Sequence, residues 1–238
     1  MTIAPRPQFM LHSTSKFFDP RIHAVRGDLA DIALAGEIFV PHYAKAMAMH
    51  CSAPFVAVRD GASEDSNQTS ELLSGENFMV LDQSGGWAWG YCAHDHYVGY
   101  VPETALSSGD RHQKIIAADP LETAKSFLDL QYVWGGRGGA GIDCSGLIQR
   151  ALAACDIAAP RDSDMQLSAL GETLPIDADL KAGDLIFFPG HVGMMASGSE
   201  LIHATRHQGK VVIEPLADVI VRMAAKHDEP VTARKRIA

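Results

Sequence analysis

Hydrophobic and polar positions change their rhythm twice along the chain. From Ala53, short runs rich in Val, Phe, Tyr and Trp are separated by clusters of Gly, Ser, Asn and Asp. They are "FVAVR" (55–59), "NFMVLDQ" (77–83), "WAWGYC" (87–92) and "YVGYV" (97–101). Alternation with close turn signals predicts a small antiparallel barrel. Near Pro120 the period lengthens. In "DPLETAKSFLDLQY" (119–132), Asp119 precedes a proline and Glu122 follows three residues later, a helix-start pattern. Leu121, Ala124, Phe127 and Leu128 fit one helical face. "IDCSGLIQRALAACDI" (142–157) predicts a second helix, with Cys144, Leu147, Ile148, Ala151, Leu152 and Cys155 as its apolar stripe. "DSDMQLSALGE" (162–172) predicts a short third helix ending near Gly171. The period then shortens again. "DLIFF" (184–188), "HVGMMAS" (191–197), "ELIHAT" (200–205) and "KVVIEPL" (210–216) are joined by tight turns, which favours an antiparallel meander. Helices followed by a meander make an α+β unit.

This reading divides the chain into a loose arm and weakly patterned segment at 1–50, a barrel at 51–110 and an α+β unit at 115–238. "SSGDRHQKIIAADP" (107–120) serves as linker. No internal repeat or low-complexity tract interrupts the pattern.

The chain has 238 residues, 47% hydrophobic and 21% charged, an ordinary composition for a globular protein. Its formal net charge of −9 argues against a cationic surface for nucleic acid or an anionic membrane. The N-terminal stretch lacks an apolar run of signal-peptide length, and no segment approaches the roughly 18 apolar residues of a membrane span, so a cytoplasmic protein is expected. The four cysteines, Cys51, Cys92, Cys144 and Cys155, form no CxxC pair. A thiolate zinc site is therefore not indicated, and a Cys51–Cys92 bridge is the disfavoured alternative to free thiols.

Glycines crowd "GGRGGAGIDCSG" (135–146). "GRGGAG" (136–141) satisfies G-x-G-x-x-G, but a dinucleotide fingerprint also needs a preceding buried strand within a βαβ unit. "SFLDLQYVW" continues a helical pattern instead, and no Walker Lys-Ser/Thr follows. Asp162 stands at the right distance for a ribose carboxylate but within "PRDSD", which is no strand end. The loop therefore reads as a platform for what comes next, Cys144 at a helix start. A helix N-terminus favours thiolate, and its free N–H groups suit an oxyanion. Gly146 leaves room for a substrate. A catalytic thiol also needs a base and a group that orients the base. His191 and His203 fall on strands that would neighbour each other. The other reading of Cys144 is a small apolar residue on the core stripe. The remaining histidines (12, 23, 42, 50, 94, 96, 112, 207 and 227) read as surface residues.

The ordered set "YVWGGRGGAGIDCSGLIQRAL", "PRDSDMQ", "AGDLIFF", "HVGMM" and "LIHAT" resembles the NlpC/P60 cysteine peptidases over roughly residues 115–238. The resemblance implies a papain-like α+β core with Cys144 as nucleophile, His191 as base and His203 as the third polar member. Tyr132 would lie near the tetrahedral oxygen. No metal or cofactor is implied. The preceding barrel resembles bacterial SH3 domains. Its "ELLSGE" and "YVGYV" match a subgroup that cleaves γ-D-glutamyl–diamino acid bonds in murein tri- and tetrapeptides with a free N-terminal L-Ala. By that resemblance Asp143 and Ser145 bind substrate, Asp143 pairing with the ammonium. Arg161 and Ser163 line the cleft, and Glu76 (or Glu71) and Tyr97 reach in from the barrel. An endopeptidase or amidase on intact wall, and a non-catalytic wall-binding module, are the rival functions. Lysine and diaminopimelate both remain open as the leaving residue.

Overall fold

The computed structural model describes residues 18–109 and 119–237. The arm at 1–17, most of the linker, and with them His12 and His112, lie outside the described residues.

The N-terminal half is all β. A small parallel pair, β1 (Leu29–Asp31) and β2 (His42–Ala44), precedes a seven-stranded antiparallel sheet. Its strands are β3 (Met47–Cys51), β4 (Phe55–Arg59), β5 (Gln68–Leu73), β6 (Asn77–Ser84), β7 (Trp87–Cys92), β8 (Val98–Pro102) and β9 (Leu106–Ser108). The order is β5-β4-β8-β7-β6-β3-β9. The outer strands β5 and β9 do not pair, so the order is open rather than closed. The sheet nevertheless curls upon itself, because Leu72 of β5 and Leu106 of β9 share one core with Val58, Phe78, Ala88 and Val101. The four aromatic-rich runs are four of these strands. β3 pairs with β6 and β9 and begins inside the segment 1–50. Cys51 and Cys92 are buried free thiols, not a bridge. His50 is buried, not superficial, and its ring bonds the Gly109 carbonyl.

The C-terminal half is α+β. Its helices are α1 (Pro120–Lys125), α2 (Cys144–Ala153), α3 (Ser163–Ala169) and α4 (Leu216–Ala224). Its strands are β10 (Glu172–Thr173), β11 (Leu185–Phe188), β12 (His191–Met195), β13 (Glu200–Thr205), β14 (Lys210–Pro215) and β15 (Ala233–Arg236). They form an antiparallel sheet in the order β10-β15-β11-β12-β13-β14. The wholly apolar run Leu185–Phe188 follows from burial on both faces. Leu185 and Phe187 pack with Leu147, Ile148 and Leu152 of α2, whereas Ile186 and Phe188 pack with Leu216 and Val219 of α4.

Two sequence expectations need correction. The first helix starts as expected, with Asp119 accepting from Leu121 N–H at 2.8 Å, but it stops at Lys125. Asp129 adopts a left-handed φ of 65°, and Leu128 points outward, 40% exposed. Cys155 lies beyond the α2 cap at Ala154, so the buried stripe ends at Leu152. The sequence pattern did not reveal α4, β10 or β15.

Candidate active site

Cys144 opens α2, and the residue before it organises the helix start. Asp143 caps the helix, its Oδ1 accepting from Gly146 N–H at 2.7 Å, while Oδ2 accepts from Gly135 N–H at 2.8 Å. Arg161 grips the same carboxylate in a fork, at 2.9 Å to Oδ1 and 2.6 Å to Oδ2. It also donates to Ser145 Oγ at 3.0 Å and to Ser70 Oγ of β5 at 3.2 Å. Arg161 is 1% exposed, so it stands behind the cleft and does not line it. Both oxygens of Asp143 are thus engaged within the protein.

The expected lowering of the Cys144 pKa does not hold at rest. Burial pushes the thiol up to about 12, and the Asp143 charge adds to that. The backbone N–H groups of Val192 and Ser145 oppose the shift without cancelling it. The helix dipole is spent largely on its own capping carboxylate. The thiol therefore rests protonated.

Two histidines lie on the facing sheet. α2 packs across β12 and β13, which carry His191 and His203. His191 Nε2 lies 2.7 Å from His203 Nδ1, and His203 Nε2 lies 2.8 Å from Glu214 Oε1. Arg222 of α4 holds both oxygens of Glu214. Burial raises the cost of a charge on Glu214, but Arg222 and His203 hold its carboxyl below the usual range. An ionised Glu214 accepts from His203 Nε2–H. Neutral His203 then presents a lone pair at Nδ1 to His191 Nε2–H. This chain of bonds leaves Nδ1 of His191 with the free lone pair. Burial, with His203 and Arg222 beside it, lowers the His191 pKa to about 3, so the ring is neutral and ready to accept a proton.

A cleft of about 440 Å³ opens at Cys144. Asp143, Ser145, Ser163, Tyr97 and Trp134 line it. Tyr97 is 5% exposed and donates its hydroxyl to Asp162 Oδ2 at 3.1 Å. Asp162 and Asp164 close this end, both bound by Arg21 from the N-terminal half. Tyr132 is half-buried against the core beside Cys144. Burial pushes its phenol up to about 12, so it stays a hydroxyl donor.

Glu76 does not reach the cleft. It is bound to buried Arg137 at 2.6 and 3.1 Å. Glu71 does not reach it either, because its Oε2 accepts from Arg137 N–H at 2.9 Å and from Gly139 N–H at 2.8 Å. The glycine loop is thus a cradle for an anion after all, and the anion is a carboxylate of the N-terminal sheet. A Cβ at Gly139 would meet Glu71 Oε1 at 2.7 Å. Gly146 makes room for the Gly136 carbonyl rather than for a substrate.

The sequence reading missed Glu214, Arg222 and Arg21. A signal for Glu214 existed. His203 pairs with Val212, so Glu214 is the diagonal neighbour on the same face of the hairpin.

Comparison with known proteins matches residues 129–227 to the NlpC/P60 family and residues 58–106 to the bacterial dipeptidyl-peptidase SH3 domain. The γ-D-glutamyl-L-lysine dipeptidyl-peptidase of Bacillus subtilis is 37% identical over 116 residues, covering 45% of this chain and 38% of that protein. Peptidoglycan endopeptidase RipB of Mycobacterium tuberculosis is 32% identical over 137 residues, covering 49% of this chain and 56% of that protein. A crystal structure of an NlpC/P60 family protein from Bacillus cereus is 25% identical, covering 80% of this chain and 63% of that one with a TM-score of 0.44. This chain therefore spans less than two thirds of each.

Proposed function

From a chain that joins a bacterial SH3 domain to an NlpC/P60 domain, we propose a cysteine peptidase that hydrolyses the γ-D-glutamyl–diamino acid bond of free murein peptides. The observation that carries this reading is a cleft thiol at a helix start, packed against a strand whose histidine is held by a His–Glu–Arg chain. No residue in this scheme requires a metal or cofactor.

In this mechanism His191 Nδ1 takes the Cys144 proton as sulfur attacks the γ-carbonyl carbon. A neutral thiol and a neutral imidazole make this general-base catalysis, not a preformed ion pair. The carbonyl oxygen becomes an oxyanion facing the Cys144 N–H and the Tyr132 hydroxyl. Collapse breaks the C–N bond, and His191 returns the proton to the leaving amine. Water then attacks the L-Ala-γ-D-Glu thioester, His191 takes its proton, and the released thiolate regains it.

The end of the cleft beyond Ser145 suits the substrate's ammonium. Four carboxylates (Asp19, Asp143, Asp162 and Asp164) face two guanidiniums (Arg21 and Arg161), leaving an acidic surplus. Asp143 is saturated, so it contributes field. Asp162 Oδ1 has no hydrogen bond among the described residues and is the oxygen the ammonium meets. A desolvated ammonium requires such a partner. Ser145 and Ser163 contact the peptide, and Tyr97 closes the end. A peptide whose L-Ala is still acylated in the wall lacks the ammonium. This favours free peptides and hence a role in murein recycling inside the cell.

The test is incubation with L-Ala-γ-D-Glu-diaminopimelate. Release of L-Ala-γ-D-Glu, with its thioester trapped on Cys144 by acid quench, is expected. Binding without cleavage by the intact protein would indicate a wall-binding module and overturn the proposal.

A further inference from the structure

The turn after β13 carries an unusual cation. Arg206 follows Thr205 and sits over two rings, 4.8 Å from the Trp134 centroid and 5.6 Å from that of Tyr132. Backbone bonds fix this turn. Tyr132 N–H donates to the Gly209 carbonyl at 2.8 Å, and Gln131 bridges to Lys210. Trp134 lines the cleft that holds Cys144 and is 58% exposed. Tyr132 lies beside both Cys144 and Arg206. One aromatic shelf therefore runs from the thiol to the guanidinium.

Charge makes the position informative. Arg21, Arg137, Arg161 and Arg222 each bind a carboxylate. Lys210, in the same turn, is bound to Asp129. Arg206 has no carboxylate partner among the described residues, in a chain of net charge −9. Stacking and a hydrogen bond to the Tyr132 hydroxyl restrain the guanidinium and leave further N–H groups that no carboxylate among the described residues holds. Their fork matches a carboxylate in two-point geometry.

We propose that Arg206 on the Trp134–Tyr132 shelf binds a free carboxylate of the peptide whose scissile bond lies at Cys144. This rests on the peptidase reading above. Such a peptide carries the α-carboxylate of γ-linked D-Glu and, one residue on, the carboxylates of the diamino acid. Both sources lie within one residue of the reacting carbon. If the diaminopimelate side-chain carboxylate is the ligand, Arg206 selects diaminopimelate over lysine.

The test measures equilibrium binding by calorimetry, with Cys144→Ala preventing turnover. L-Ala-γ-D-Glu-diaminopimelate is compared with three versions, each having one carboxylate replaced by its amide. Arg206→Gln in the Cys144→Ala background should weaken the parent peptide about tenfold, the scale of one charge-assisted pair. It should leave one amide version unaffected, and that version identifies the carboxylate. Arg206→Lys, which keeps the charge and loses the fork, should fall between the two. Three results would each overturn the proposal. They are an unchanged affinity for the parent peptide on Arg206→Gln substitution, equal weakening for all four peptides, and no binding of the parent peptide at millimolar concentration. Turnover by the intact protein is scored separately. Binding that depends on Arg206 without cleavage would sink the peptidase reading and leave the carboxylate site standing.

Discussion

Glu214 Oε1 lies 2.8 Å from His203 Nε2, and through that bond it orients His191, which it does not touch. The carboxylate fixes which nitrogen of His203 carries hydrogen, and His203 in turn fixes His191. Arg222 keeps the carboxylate ionised from the other side. The chain of bonds thus runs from β12 to α4.

Glu214→Gln should therefore act on kcat more than on KM. An amide can donate to His203 and select the wrong tautomer. We expect kcat to fall about tenfold to a hundredfold, less than the full contribution of a general base. Steady-state kinetics with a denaturation midpoint as control checks this. An unchanged kcat would remove Glu214 from the relay.

The pH dependence follows from His191. In the proposed mechanism the neutral ring is the active form, so a lowered pKa extends activity to lower pH. With a pKa of about 3, kcat/KM should be flat from pH 7 down to pH 5. An ordinary histidine near 6.5 would lose about thirtyfold at pH 5. On the alkaline side, a thiol pushed up to about 12 should keep alkylation of Cys144 slow and rising through pH 9. A kcat/KM midpoint near 6.5 would contradict the neutral pair.

Asp143 and Arg161 should behave as one unit in stability. Arg161→Ala leaves a buried carboxylate uncompensated, at a cost of about 3–5 kcal/mol. Asp143→Ala also loses the cap of α2. The double variant should lose clearly less than the sum of the two, as measured by urea denaturation. Additive losses would mean the pair is not coupled.

The sequence is most legible where burial and periodicity agree. Cys144 through Leu152, and the strands carrying His191 and His203, follow their apolar patterns, which is why those residues stand out. β5 hides because Ser70 and Glu71 are buried polar residues, satisfied by Arg161 and the glycine-loop amides across the two halves of the chain. Such partners lie 91 and 66 positions away, beyond any local pattern. Glu76 reads as a cleft residue from its motif, yet Arg137 claims it. The helix after Pro215 is masked by the β-rich run that leads into it.

The most direct measurement of the central claim is kcat/KM for L-Ala-γ-D-Glu-diaminopimelate against its N-acetylated form. The acidic end of the cleft predicts a preference for the free amine of at least about a hundredfold, because acetylation removes the cation that the unbonded Asp162 Oδ1 and the acidic surplus around it would hold. Equal values would contradict free-peptide specificity and favour an endopeptidase on the intact wall.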